Sequence, residues 1–258
     1  MPGATLQCHD LSVELIDRGH GRPLVFLHSG DGLVGCDALF DALGTQGRLV
    51  APSHPGFGHT DLPQAFRSVD DLAYFYLDLF QQLALDGAVL IGASFGGWIA
   101  AEIAIRSTAR LSHLVLIDAL GVRHATDETV VEIADIYTIH PQEHERRAYV
   151  EPARWRRDAK ELTDDELYVA ARNRETLSLF GWMPYMHNPQ LKRWLHRIDV
   201  PTLVIWGEQD TSLLPGCVEG LERWVPSVDV RRVPDGTHWV VYEKPKFVSE
   251  TIRAWLTQ

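Results

Sequence analysis

Residues 90–97 read LIGASFGG, and the run leading into them, AVLIGA at 88–93, is continuously apolar. Such a run suits a strand buried on both faces, as in a parallel sheet covered by helices. It breaks at Ser94 and gives way to FGGWIAAEIAIRS at 95–107, an Ala- and Ile-rich stretch that reads as a helix packed tightly on the sheet. Gly92-Ala93-Ser94-Phe95-Gly96 fits G-x-S-x-G between strand and helix, the context in which that pattern presents a nucleophile. The turn must be sharp, which strains the backbone at the serine. Side chains two residues before and after would strike neighbouring backbone, so Gly92 and Gly96 meet a steric need, and Gly97 lets the helix sit closer. The hydroxyl is left at the carboxyl end of the strand, where open α/β sheets bind ligands. The helix N-terminus beneath it favours developing negative charge.

Outward from this point, short apolar runs alternate with longer amphipathic ones. LSVELI (11–16), PLVFLH (23–28), RLVAP (48–52), HLVLIDA (113–119) and TLVIWG (202–207) read as further strands, with VDVRRV (228–233) a weaker one near an edge. Residues 69–85 place Leu72, Phe75, Tyr76, Leu79 and Leu83 on one helical face, with Ser68 and Asp71 as a capping pair. Residues 243–257 read as a last helix with Phe247, Ile252, Trp255 and Leu256 inward. The alternation breaks over 122–188, which is polar, helix-prone and without a strong strand. We read 1–121 and 189–258 as one core domain and 122–188 as an inserted helical cap that encloses and gates an apolar pocket.

A serine needs a base, and the base an orienting acid. In the chain order Ser, acid, His, two later strand ends supply them: TLVIWGEQD ends at Asp210, and VRRVPDGTHW reaches His238. Asp118, following HLVLI, is the main competing acid; Glu208 and Asp235 are others. The tetrahedral intermediate needs two backbone N–H donors. Phe95 is expected to supply one, and the loop His28-Ser29-Gly30-Asp31-Gly32 the other, with Gly30 favoured and Ser29 second. Asp31 would oppose an oxyanion if it pointed inward, so it turns away or meets a polar group of the substrate. Trp98, Trp182, Tyr185 and Trp239 join it as expected pocket residues, and His28 is expected to organise its loop.

Taken together, VFLHSGDG, APSHPGFGHTD, LIGASFGGWIAAEIA, PTLVIWGEQD and DGTHWVVYEKP resemble the α/β-hydrolase superfamily over nearly the whole chain. The resemblance implies an α/β-hydrolase fold: a mostly parallel eight-stranded sheet flanked by helices, an inserted helical cap after the sixth strand, and no metal or organic cofactor. It departs from many relatives at Ser29, where they have Gly, and at Ser53, where they have Asp. The superfamily spans several chemistries. An esterase acting through an acyl-enzyme on Ser94 is the first expectation, a carbon–carbon bond hydrolase acting on a diketone-like substrate the second, and a non-catalytic binder the third.

Composition narrows the partners. With 35 acids against 24 bases the chain carries a formal charge of −11, which repels phosphate backbones. A small-molecule substrate is expected, without nucleic acid or membrane. The three cysteines lack a CxxC, and neither a secretory signal nor a long apolar run is seen, so a cytoplasmic setting is expected. His140-Pro-Gln-Glu143-His144 matches an inverted zinc-protease pattern, but Pro141 sits inside it and no third ligand is evident, so no metal site is expected. RWRRDAK (154–160) reads as a solvated basic face.

Overall fold

The computed structural model describes residues 4–125, 132–140, 142, 143, 146, 149–151 and 158–258. Its eight strands are β1 (Ala4–Cys8), β2 (Leu11–Arg18), β3 (Pro23–Leu27), β4 (Arg48–Pro52), β5 (Ala88–Ala93), β6 (Leu111–Ile117), β7 (Thr202–Gly207) and β8 (Val228–Val233). They form one sheet in the order β1-β2-β4-β3-β5-β6-β7-β8. The β1–β2 and β2–β4 pairs are antiparallel and every later pair is parallel. The principal helices are α1 (Asp37–Gly44), α2 (Val69–Gln82), α3 (Phe95–Arg106), α4 (Asp164–Gly181), α5 (Pro215–Trp224) and α6 (Pro245–Trp255).

Continuous apolar strands are needed because both faces are covered. In β5, Ala88 and Leu90 join the core under α2 and α3, while Val89, Ile91 and Ala93 join the opposite core under α1 and α6. The same alternation divides Val25 and Leu27 from Leu24 and Phe26 in β3. Parallel strands at the centre send their carboxyl ends to one edge, and this brings Ser94 together with the loops after β3, β4, β7 and β8.

The chain departs from the sequence expectations in two places. β1 went unread because ATLQC, although Ala4, Leu6 and Cys8 alternate with Thr5 and Gln7, is only five residues long and holds a single bulky apolar side chain; it is an edge strand in which only Cys8 is buried. In the last helix Val248, not Phe247, faces inward beside Ile252 and Trp255, and Phe247 stays 42% exposed. The Ser68–Asp71 pair forms a full capping box at the start of α2.

Between β6 and β7 the chain leaves the sheet. Gly121 and His187 form a bridge, with Gly121 N–H donating to Met186 O at 3.1 Å and Asn188 N–H to Gly121 O at 3.0 Å. Asn188 also donates to buried Glu102, which accepts from Trp98 Nε1 and pairs with Arg106. Within this excursion α4 starts at a second capping box, Thr163 with Glu166. It lies across the loops after β3 and β4: Leu177 packs on Gly30, and Thr176 donates to Gly56 O at 2.8 Å.

Candidate active site

Ser94 sits between β5 and α3 with φ +51° and ψ −115°, a left-handed backbone conformation that a non-glycine residue adopts only under constraint. The crowding that demands glycine is severe. A Cβ on Gly92 would lie 2.4 Å from Gly96 O, and one on Gly96 would lie 2.1 Å from Leu27 O. Ser94 N–H donates to Ile117 O, and its carbonyl accepts from Leu120 N–H, so the turn is fixed on both sides.

The three side chains singled out from chain order meet here. Ser94 Oγ lies 2.8 Å from His238 Nε2, and His238 Nδ1 lies 2.8 Å from Asp210 Oδ2. The other carboxylate oxygen of Asp210 accepts from the N–H groups of Ser212 (2.7 Å) and Leu213 (2.9 Å). With both oxygens serving as acceptors, His238 Nδ1 carries the proton. Nε2 is then a free acceptor for the Ser94 hydroxyl.

Asp118, the competing acid, is not in this chain. It is fully buried with φ +42°, accepts from Gly207 N–H at 2.9 Å through Oδ1, and leaves Oδ2 without a hydrogen-bond partner. Burial and then the charge of Asp210 push its carboxyl well above the usual range.

The loop after β3 is organised by two histidines. His28 Nε2 accepts from His54 N–H at 2.9 Å, so His28 donates through Nδ1 to Ser29 O at 2.6 Å. His54 Nε2 donates to His28 O at 2.9 Å, and its Nδ1 accepts from Tyr76. The rings stack with centroids 3.6 Å apart. Burial lowers His28 to about 4 and His54 well below its usual value, so both are neutral in the range where the protein would work. Ser29 O also accepts from Gly32 N–H at 3.1 Å. A trans peptide held by its carbonyl points its N–H the other way, and Gly30 lines the cavity that holds Ser94. Phe95, the first residue of α3, has no upstream helical acceptor for its N–H and lines the same cavity. Ser29, the second expected N–H donor, is not among the residues that line it, and its hydroxyl pairs with Tyr242 OH at 2.8 Å.

The cavity has a volume of about 800 Å³. Asp31, Tyr185 and Trp239 line it as expected, and Tyr185 is tied by its hydroxyl to Ala134 O and Ile136 N–H. Two expected pocket residues do not. Trp98 is buried under Gly121 with its Nε1 on Glu102, and Trp182 is 56% exposed beside Tyr137. Trp98 sits on the α3 face turned to Glu102 and Asn188, and Trp182 follows the end of α4, past the part that covers the cavity.

Leu33, Leu120, Ile133, Leu177 and Met186 make much of the wall apolar. Its charged lining residues are Glu14, Asp31, Asp165 and Glu166 against Arg174. The Asp31 carboxylate opens to the cavity and makes no hydrogen bond or ion pair among the described residues. The surrounding protein raises its carboxyl above the ordinary range, against the pull of His238 and Arg174. Sequence reasoning missed Asn173, Thr176 and Arg174 on α4. The Thr163–Glu166 capping box would have marked the helix, but not the face it turns to the cavity. Among the described residues no group of three or more His, Cys, Asp or Glu is placed to hold a metal. His144 of the 140–144 pattern and residues 154–157 of the basic run lie outside the described residues.

A family model described as the alpha/beta hydrolase family matches residues 10–251. The chain belongs to the alpha/beta hydrolase family. This alpha/beta hydrolase is 24% identical over 248 residues to a 1-acylglycerol-3-phosphate O-acyltransferase of Arabidopsis thaliana, a match covering 80% of the chain but only 59% of that relative. It is 27% identical over 207 residues to the 2-hydroxymuconate semialdehyde hydrolase of Pseudomonas sp. strain CF600, covering 66% of the chain and 73% of that enzyme. Among solved structures, a thermophilic esterase from Thermogutta terrifontis superposes with a TM-score of 0.76 at 21% identity, covering 100% of this chain and 97% of that one. No helix among the described residues is long and apolar enough to cross a membrane.

Proposed function

We propose that this hydrolase cleaves a carboxylic ester or similar acyl substrate through an acyl-enzyme on Ser94. The observation that carries the reading is the unbroken line Ser94 Oγ, His238, Asp210, with 2.8 Å at each step, opening into the cavity. Ser94 Oγ attacks the acyl carbon as its proton passes to His238 Nε2. The developing oxyanion meets the N–H groups of Gly30 and Phe95 at the α3 N-terminus. The imidazolium, held in place by Asp210, returns the proton to the departing alkoxide, and the alcohol leaves. Water then gives its proton to His238 and attacks the acyl carbon, and the acid is released with Ser94 restored. Residues 122–188 act as the cap, and its two ends meet where Gly121 bonds Met186 and Asn188. No step calls for a cofactor, and the substrate is a small molecule.

Carbon–carbon cleavage is the second reading, favoured by similarity to the semialdehyde hydrolase. A muconate-type substrate carries a carboxylate, however, and the cavity presents Glu14, Asp31, Asp165 and Glu166 against Arg174 alone among its lining acids and guanidinium groups. That balance supports an uncharged ester. The test is a panel of neutral esters and vinylogous diketo acids with the wild type and Ser94→Ala, alongside labelling by a fluorophosphonate. Ester turnover and labelling that both disappear in Ser94→Ala are expected. Turnover confined to diketo acids would move the assignment to the second reading. Tight ligand binding without any turnover or labelling would make the protein a binder.

A further inference from the structure

The loop that supplies Gly30 is held from two directions, and only one of them belongs to the core domain. From below, His28 and Gly32 N–H fix the Ser29 carbonyl. From above, α4 reaches down from the excursion between β6 and β7. Asn173 is buried, with 3% of its surface exposed. Its Oδ1 accepts from Gly58 N–H at 2.8 Å, and its Nδ2 donates to Asp31 O at 2.8 Å. The amide can be oriented only this way, since an N–H must meet oxygen and a carbonyl must meet nitrogen. The fit is close: a Cβ on Gly32, where φ is +83°, would lie 2.6 Å from Nδ2. One turn along, Leu177 sits against Gly30 itself. Arg172, on the same helix, donates to Gly56 O (2.9 Å) and Thr60 O (2.7 Å) but does not reach the Gly30 loop.

The carbonyls of Ser29 and Asp31, one on each side of Gly30, are both held, which leaves the turn one arrangement. Peptide units in a glycine-flanked turn rotate easily when unheld, and a donor misaligned with the developing oxyanion loses much of its stabilisation. We propose that Asn173 is a positioning residue: from α4 it holds the Gly30–Gly32 turn in the shape that presents Gly30 N–H to the reacting oxygen. The cap then does more than cover the substrate, because the oxyanion hole is complete only when α4 is docked. The inference rests on the acyl-enzyme reading above.

Three variants test it, each with its thermal midpoint measured. Asn173→Asp keeps the acceptor for Gly58 but loses the donor to Asp31 O; Asn173→Ala loses both; Arg172→Ala removes the α4 bonds to Gly56 O and Thr60 O while leaving both Asn173 bonds in place. For both position-173 variants kcat on a neutral ester is expected to fall roughly 10²-fold, the scale of losing an oxyanion donor. KM is expected to stay within about threefold. Affinity for butylboronic acid, which forms a tetrahedral adduct on the serine, should fall in parallel with kcat, while affinity for the product acid should not. Arg172→Ala should keep most of kcat and of boronate affinity. Folded position-173 variants with wild-type kcat would overturn the proposal. So would an equal loss in Arg172→Ala, or failure of both position-173 variants to fold, which would make Asn173 a residue of the fold alone. Absence of Ser94-dependent turnover in the wild type would instead remove the acyl-enzyme reading itself.

Discussion

Two buried aspartates stand near the same strand ends and differ in every contact. Asp210 accepts from His238 and two backbone N–H groups, whereas Asp118 accepts from Gly207 alone and leaves an oxygen unpartnered. Asp210→Asn should therefore lower kcat by roughly 10⁴-fold, because an amide nitrogen can no longer accept the imidazole proton and the tautomer is lost. Asp118→Asn keeps the acceptor for Gly207 and should lower kcat less than about tenfold. Its effect belongs to stability. In the unfolded chain the Asp118 carboxyl ionises near 3.8, and in the fold it keeps its proton to higher pH. Folding therefore takes up a proton above that value, so this group's contribution weakens as pH rises from the acid side. Thermal midpoints should show Asp118→Asn at least as stable as wild type at pH 7 and the gap closing toward pH 4. A variant clearly less stable at pH 7 would contradict this account of Asp118. Chain order admits both, since each follows a buried strand between Ser94 and His238, and only the structure separates them. Trp98 and Trp182 do not line the cavity for a related reason: α3 is buried on every side, so its sequence marks no single inner face, and Trp182 lies past the end of α4.

At the scale of elements, the strands with both faces buried were legible because each is a continuous apolar run between turn residues. The elbow was legible because steric need dictates its glycines. β1 was not, since its alternation spans only five residues and an exposed edge strand needs no strong apolar run. The α4 contacts were not either, since Asn173 and Thr176 bond to backbone of loops more than a hundred residues away, and a backbone partner leaves no trace in side-chain chemistry. The β3 and β4 loops meet in the His28–His54–Tyr76 chain, which has a pH dependence of opposite sign to that of Asp118. His28 is lowered from 6.5 to about 4, so the unfolded chain binds a proton that the fold excludes within that window. This contribution is fully present above about 6.5 and is lost as pH falls toward about 4. Measured in the Asp118→Asn background, where the opposing contribution is gone, the thermal midpoint should drop across this window. A flat profile would mean that the histidine pair does not hold the two loops together in their neutral form.

At the scale of the whole molecule, charge and cavity act together. The chain carries −11, and among the charged residues that line the cavity opening on Ser94 four acids face Arg174. Anionic substrates are repelled on approach and again at the wall, and salt weakens the first effect. A neutral ester should show a higher kcat/KM than the same ester bearing a carboxylate on its acyl chain, with the ratio shrinking as ionic strength rises. A preference for the carboxylated ester would point to Arg174 as the dominant contact. The sheet brings Ser94 and His238 to one edge, and α4, in the excursion after β6, lines the cavity beside them. The central claim is that Ser94 carries the acyl group. It is tested most directly by mixing the protein with a rapidly cleaved aryl ester, quenching in acid, and mapping the modified peptide by mass spectrometry. The account predicts an acyl adduct on the peptide containing Ser94, formed in a burst with the released phenol and absent in Ser94→Ala. Turnover that continues undiminished in Ser94→Ala, or an adduct on any other residue, would contradict it.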